Sequence, residues 1–180
     1  MRAFIAINLP GCVNDALLEL QNFMPTSKPT SPENFHLTLV FMDEQPDELI
    51  EEVHHALDQL HVPKFEIALN GLDAFGGREP NILYVGVEKV EALKFLQKKV
   101  IGVLRSAGVS LDRKRFRPHV TIARFGRRLS KEELESLRNY MSGHADFGPV
   151  SFTVGSFSIY RSTLSHKGAV HDELAQYELV

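Results

Sequence analysis

The sequence predicts an α+β protein made of two pseudo-symmetric lobes. Three observations carry that reading. Short apolar runs with strand character alternate with runs whose apolar residues recur at helical spacing. The order strand, helix, strand, helix, strand occurs twice. The middle strand of each set carries the same motif, His-x-Thr, as His36-Leu37-Thr38 and as His119-Val120-Thr121.

The elements follow in chain order. "FIAINLP", Phe4 to Pro10, is short, apolar and closed by Pro10-Gly11, which reads as a strand. Val13, Ala16, Leu17, Leu20 and Met24 then recur on one helical face, and Pro25, Pro29 and Pro32 mark a loop. "FHLTLVF" is the second strand. Leu49, Ile50, Val53, Leu57 and Leu60 mark a helix with Pro46 near its first turn. "KFEIALNGLDAF" is the third strand, with "NGLDAFGG" as its end and turn.

The second half repeats the order. "NILYVGVE" is a strand. Leu93, Leu96, Val100, Val103 and Leu104 mark a helix that Gly108 closes in the left-handed conformation. "HVTIARF" is the next strand. Ser130 and Glu133 form a capping box that opens a helix carrying Leu134 and Leu137. "VSFTVGSFSIY" is read as one strand. The interval from His36 to His119 is close to that from Phe4 to Ile82, which indicates an internal duplication. The chain is thus expected to be one domain over 1–180, with halves of about 1–76 and 81–160 joined by Gly76 to Pro80. The segment 161–180 completes a sheet as an edge strand. A doubly wound parallel sheet competes with this layout, but its glycine-rich phosphate turn is missing.

Composition narrows the class. A chain of 180 residues can bury a sufficient core without staples, and the single cysteine, Cys12, cannot form an internal disulfide. "MRAFIAINLPG" lacks the pattern of a secretory signal, and no apolar run reaches the length of a membrane span, so a cytoplasmic protein with no membrane partner is expected. A net charge of −3 argues against non-specific coating of nucleic acid. The charge is nonetheless uneven. Arg105, Arg113, Lys114, Arg115, Arg117, Arg124, Arg127 and Arg128 bracket the second motif, opposed only by Asp112. Such a run is either a solvated surface or an attractor for phosphate.

Side chains alternate faces along a strand, so His36 and Thr38 share a face opposite Leu37 and Leu39. His119 and Thr121 share a face opposite Val120 and Ile122. One face is therefore packed, and the His/Thr face must meet polar groups, water or a ligand. If the lobes face each other, two imidazoles flank one central space. A neutral ring can remove a proton from an attacking oxygen while a protonated ring supplies one to a leaving oxygen. The threonine hydroxyls can donate to non-bridging phosphate oxygens between them. The residues alone do not decide which imidazole is acid and which is base.

On these motifs the sequence resembles the two-histidine (2H) phosphoesterases, and within them the RNA 2′,3′-cyclic phosphodiesterases, also called 2′-5′ RNA ligases. "RAFIAINLP" resembles the opening strand of that family, "SPENFHLTLVF" its first motif and "FRPHVTIARF" its second. The resemblance implies antiparallel sheets facing a central cleft, with helices on the outside. It implies His36 as proton donor to the leaving 3′ oxygen and His119 as proton acceptor from water. It implies Thr38 and Thr121 as phosphate holders and Arg124 as a substrate-binding residue. No metal and no cofactor are implied, and a monomer is expected. The implied partner is RNA with a 2′,3′-cyclic phosphate end, on tRNA fragments or nucleotides. The product would be a 2′-phosphomonoester, and the reverse chemistry would form a 2′-5′ linkage.

Two departures from the family stand out. Met42, Asp43 and Glu44 follow the first motif where Gly-Glu is usual, and His171 stands where an aromatic residue is usual. Arg124 poses a geometric problem, because strand alternation puts Ala123 on the His119 face unless the strand bends after Ile122. His54 and His55 read as solvent-facing helix residues, and His61, His144, His166 and His171 as loop or tail residues. No Cys pair or His-Glu-x-x-His suggests zinc, and no G-x-S-x-G elbow suggests a serine nucleophile. The rival readings are a non-catalytic RNA-end or nucleotide-binding module, and another 2H activity such as trimming of RNA 3′ ends.

Overall fold

The computed structural model describes residues 1–180 except 26–27, 113–114, 127 and 166–167, together with the side chain of Lys28. Arg113, Lys114 and Arg127 of the basic run, and His166, lie outside the described residues. The strands are β1 (Arg2–Asn8), β2 (Lys28–Pro29), β3 (His36–Glu44), β4 (Phe65–Phe75), β5 (Ile82–Glu88), β6 (His119–Arg124), β7 (Val150–Val154), β8 (Ser156–Ser165) and β9 (Gly168–Glu178). The helices are α1 (Gly11–Asn22), α2 (Asp47–Asp58), α3 (Glu91–Ser106) and α4 (Lys131–Gly143), and a 3₁₀ turn spans Pro32–Asn34.

The described strands form one sheet in the order β7-β4-β5-β6-β3-β1-β8-β9, with β2 paired to β6. The strand pairings are antiparallel, which rules out the doubly wound parallel alternative. The row is symmetric about the β3–β6 boundary. On each side a His-x-Thr strand is followed by an opening strand, β1 or β5, then by a crossing strand, β8 or β4, then by an edge. At the centre, β3 and β6 pair through Leu37 and Val120. Beyond that contact β3 leaves β6, and β2 takes over that side of β6 by pairing Lys28 with Arg124 and Pro29 with Ala123. Apart from β2, the sheet is thus two four-stranded halves hinged at one residue pair.

The sheet halves are not the sequence halves. β4 follows the first His-x-Thr strand in the chain but pairs with β5. "VSFTVGSFSIY" is two strands rather than one: β7 pairs with β4, whereas β8, across Gly155, pairs with β1. Apolar runs in the sequence show strand character but not strand partners. "NGLDAF" continues β4 through a register shift between Asn70 and Leu72 rather than ending it, and Gly71 adopts φ 73° there.

One face of the sheet packs on the helices. Leu37, Leu39, Val120 and Ile122 join a core with Val13, Leu17 and Leu20 of α1, Ile50, Val53 and Leu57 of α2, and Leu93, Leu96, Val100 and Leu104 of α3. Each fully buried aliphatic side chain contributes about 1.5–3 kcal/mol. The capping box of α4 forms in full, with Ser130 and Glu133 satisfying each other's backbone N–H. A second, smaller cluster of Phe4, Ala6 and Tyr160 lies on the opposite face of β1 and β8. β1 is therefore buried on both faces, which explains why "FIAI" shows no alternation.

Candidate active site

The two histidines open their strands. His36 is the first residue of β3 and His119 the first of β6. The burial patterns alternate as the motif requires, with His36 and Thr38 half-buried around buried Leu37, and His119 and Thr121 half-buried around buried Val120. Continuing the Leu37–Val120 register by one residue each way sets His36 across from Thr121 and Thr38 across from His119. Four side chains capable of phosphate chemistry thus occupy one face at the hinge between the sheet halves.

The backbone solves the Arg124 problem. In β6, Thr121 pairs with Tyr84 but Ala123 pairs with Leu83, so Ile122 is an extra residue. This β-bulge resets the alternation. Arg124 then pairs with Ile82, which shares its face with Tyr84 and hence with Thr121. The side chain of Gln21 on α1 holds the bulge from behind, donating to the Ile122 carbonyl at 2.7 Å and to the Thr30 carbonyl at 2.8 Å. The Thr30 N–H also donates to Ile122, at 2.9 Å.

The His119 imidazole is oriented by the carbonyl two residues before it. His119 donates from Nδ1 to Arg117 at 2.7 Å. A carbonyl can only accept, so the neutral ring carries its proton on Nδ1 and leaves the Nε2 lone pair able to accept one. At His36 the Asn34 backbone, also two residues upstream, favours the protonated ring.

Aromatic walls surround both rings. Phe4 lies 5.0 Å from His36 and Tyr160 6.4 Å from it. Phe75 and Tyr84 lie 4.9 and 5.3 Å from His119, both edge-on, and stack on each other at 4.2 Å. The Arg117 guanidinium covers Phe75 at 4.6 Å. Arg117 belongs to the basic run read from the sequence, but the four rings give no sequence signal, because apolar residues of β1, β4, β5 and β8 read as core.

His171 requires a correction. The sequence reading assigns it to the tail, yet β9 carries it to within 5.1 Å of His36, edge-on. Its occupation of a position where the family has an aromatic residue is the available signal. The other histidines do not join the site. His54 bonds Tyr177 through Nδ1 at 2.9 Å, so it is not simply solvent-facing, and His144 bonds the Tyr140 carbonyl at 2.9 Å. Among the described residues, no group of three His, Cys, Asp or Glu side chains is arranged to hold a metal ion.

The electrostatics favour neutral rings in the free protein. Burial pushes His36 down to about 4, and the charges of His171, Arg124 and His119 add to the effect against the Asn34 hydrogen bond. Burial also lowers His119, helped by Arg124 and Arg117 and opposed by the Arg117 carbonyl. Arg124 thus acts on both imidazoles at once. An anion between them reverses that balance.

A family model described as the 2′-5′ RNA ligase superfamily matches residues 26–165. The RNA 2′,3′-cyclic phosphodiesterase of Archaeoglobus fulgidus is 28% identical over 182 residues, spanning 99% of this chain and 100% of its own. The enzyme of the same name from Thermotoga maritima is 31% identical over 183 residues, spanning 97% of this chain and 93% of its own. The crystal structure of the protein TT0787 of Thermus thermophilus superposes with a TM-score of 0.83 at 24% identity, covering 99% of this chain and 97% of that one. E. coli LigT complexed with 3′-AMP superposes with a TM-score of 0.79 at 19% identity, covering 99% and 97%. At such identities the structures speak for the fold alone. No described helix is long and apolar enough to cross a membrane. The match over most of its length makes this chain a member of the 2′-5′ RNA ligase superfamily, the two-histidine phosphoesterases that its paired His-x-Thr strands resemble.

Proposed function

We propose that the protein hydrolyses RNA 2′,3′-cyclic phosphate ends to 2′-phosphomonoesters, without a metal, by acid–base catalysis between His36 and His119. One observation carries the reading: both His-x-Thr pairs lie on one face of β3 and β6, at the Leu37–Val120 hinge, with Arg124 turned onto that face. Names shared by relatives across nearly the full chain support the substrate class.

In this mechanism His119 accepts a proton from water at Nε2 as the water oxygen attacks phosphorus. The P–O3′ bond breaks, and His36 protonates the departing O3′. Thr38 and Thr121 donate to the non-bridging oxygens, and Arg124 offsets their charge. The phosphodiester anion also draws onto His36 the proton that the free site repels. A 5′-hydroxyl in place of water would give a 2′-5′ linkage by the same proton transfers.

The test is incubation with an RNA oligomer ending in a 2′,3′-cyclic phosphate, in EDTA. Metal-free formation of the 2′-phosphate is expected. His36→Ala and His119→Ala should each lower kcat by about 10²–10⁴-fold while substrate still binds. Binding without turnover by the intact protein would favour an RNA-end-binding module instead, and a requirement for added metal would refute the mechanism.

A further inference from the structure

The proposed reaction gives His171 no task, yet His171 is built into the wall around His36. The ring centroids are 5.1 Å apart with planes at 71°, so one imidazole presents its edge to the other. Both rings lean on Phe4, His36 at 5.0 Å and His171 at 4.9 Å. In the β8–β9 register His171 lies opposite Ser162, and Glu173 opposite Tyr160, so these residues share one face. The strand β9 is fixed over His36 from the other side as well, since Asn34 donates to the Ala169 carbonyl at 2.9 Å. The Nδ1 atom of His171 is buried and has no hydrogen-bond partner. A buried polar atom left unpaired in a folded protein calls for an explanation.

We propose that the acid side of the site is a pair of imidazoles, His36 and His171, that holds at most one proton between them, with His171 a positioning residue that sets when His36 is charged. This rests on the reading of His36 as the proton donor. Two imidazolium rings at this separation, in a half-buried wall, repel each other too strongly for both to be charged over the neutral range.

The groups facing the pair come from three strands. β6 supplies Arg124 and His119, which disfavour charge on His36, and Arg124 does the same to His171. β9 supplies Asp172, which favours charge on His171, and Glu173. Asp172 is engaged by Arg161 at 2.9 Å, and Glu173 by Asn8, Ser158 and Tyr160. β8 supplies the Tyr160 phenol, and β1 presents the Phe4 ring. The bound phosphodiester would offset Arg124 and draw the single proton to His36, the ring that shares a strand face with Thr38. A proton held on His171 would block that transfer, so the charge state of His171 limits the acid.

Histidine-labelled full-length protein, titrated by NMR without ligand, tests this. In the unaltered protein the His36 signal should respond in two steps, the second tracking His171. In His171→Phe, which keeps a ring against Phe4, His36 should show one transition, moved to higher pH. The limb of the kcat/KM profile that His36 controls should move the same way, which loss of packing alone would not produce. His171→Gln carries the same expectation if the phenylalanine variant folds poorly. His36 titrations that superimpose with and without His171, or a single-step His36 response in the unaltered protein, would overturn the proposal. The two readings fail separately. A shifted His36 in a protein that leaves cyclic-phosphate RNA intact removes the proposed activity and keeps the pair. Hydrolysis with an unmoved His36 removes the pair and keeps the activity.

Discussion

Phe41 and Arg124 hold the same position in the two halves of the site. Each stands five residues beyond its histidine, and each follows a one-residue bulge, at Leu39 in β3 and at Ile122 in β6. The bulge returns both side chains to the face of their histidine. Phe41 pairs with Phe4, and the two ring centroids are 5.9 Å apart. One backbone device therefore gives the His36 side an aromatic ring and the His119 side a cation.

Arg124 is expected to act on substrate and on proton affinity together. A charge-assisted hydrogen bond contributes about 1.5–3 kcal/mol, so Arg124→Ala should lower kcat/KM by roughly 10- to 100-fold. Its positive charge lowers His36, His119 and His171, so the same variant should move all three titrations to higher pH. Steady-state kinetics and histidine NMR on one sample check both effects.

Gln21 should matter although it lies on the far side of the sheet. Gln21→Ala removes the donors to Ile122 and Thr30, leaving only the Thr30 N–H on the bulge carbonyl. A cost of about 1–3 kcal/mol in stability is expected from the loss of the Gln21 donor to the part-buried Thr30 carbonyl. KM should rise with it, because Arg124 is no longer pinned. Denaturant melts with an unchanged KM would show that the bulge holds Arg124 without Gln21.

Stability should fall on the acid side through His36. Its imidazole titrates near 6.5 when unfolded and at about 4 when folded. Between those values the unfolded chain binds a proton that the native state refuses. The contribution is present above about pH 6.5 and is lost as pH falls toward 4, to an extent on the order of 3 kcal/mol. Urea unfolding at pH 7 and pH 4 should therefore show a smaller acid loss in His36→Phe than in the unaltered protein.

The hinge residue Leu37 is fully buried, and its backbone joins the two sheet halves. Leu37→Ala should cost about 2–5 kcal/mol. Because the cavity opens directly beneath the His36–Thr121 and Thr38–His119 pairs, kcat should fall more steeply with temperature than it does for Leu57→Ala, an equally buried change in α2. Parallel thermal activity profiles of the two variants distinguish a hinge from ordinary packing.

The helices are legible in the sequence because their apolar residues recur on one face, and the α4 start because Ser130 and Glu133 can close only one kind of cap. The motif strands are legible because His36/Thr38 and His119/Thr121 alternate with buried aliphatics. The strand partners are not. β7 and β8 read as one run, since pairing depends on chain segments far away. His171 and Tyr160 reach His36 through the same long-range pairing, in strands whose own sequences carry no histidine-site pattern.

By itself, then, the sequence determined that His36 and Thr38 share one face of their strand and His119 and Thr121 one face of theirs, because alternation is a local property of an extended chain. Only the tertiary structure decided that Arg124 shares that face, that Phe41 is its counterpart, and that a third imidazole lies against the first. Bulges and strand order set those relations, and both follow from hydrogen bonds between segments distant in the chain.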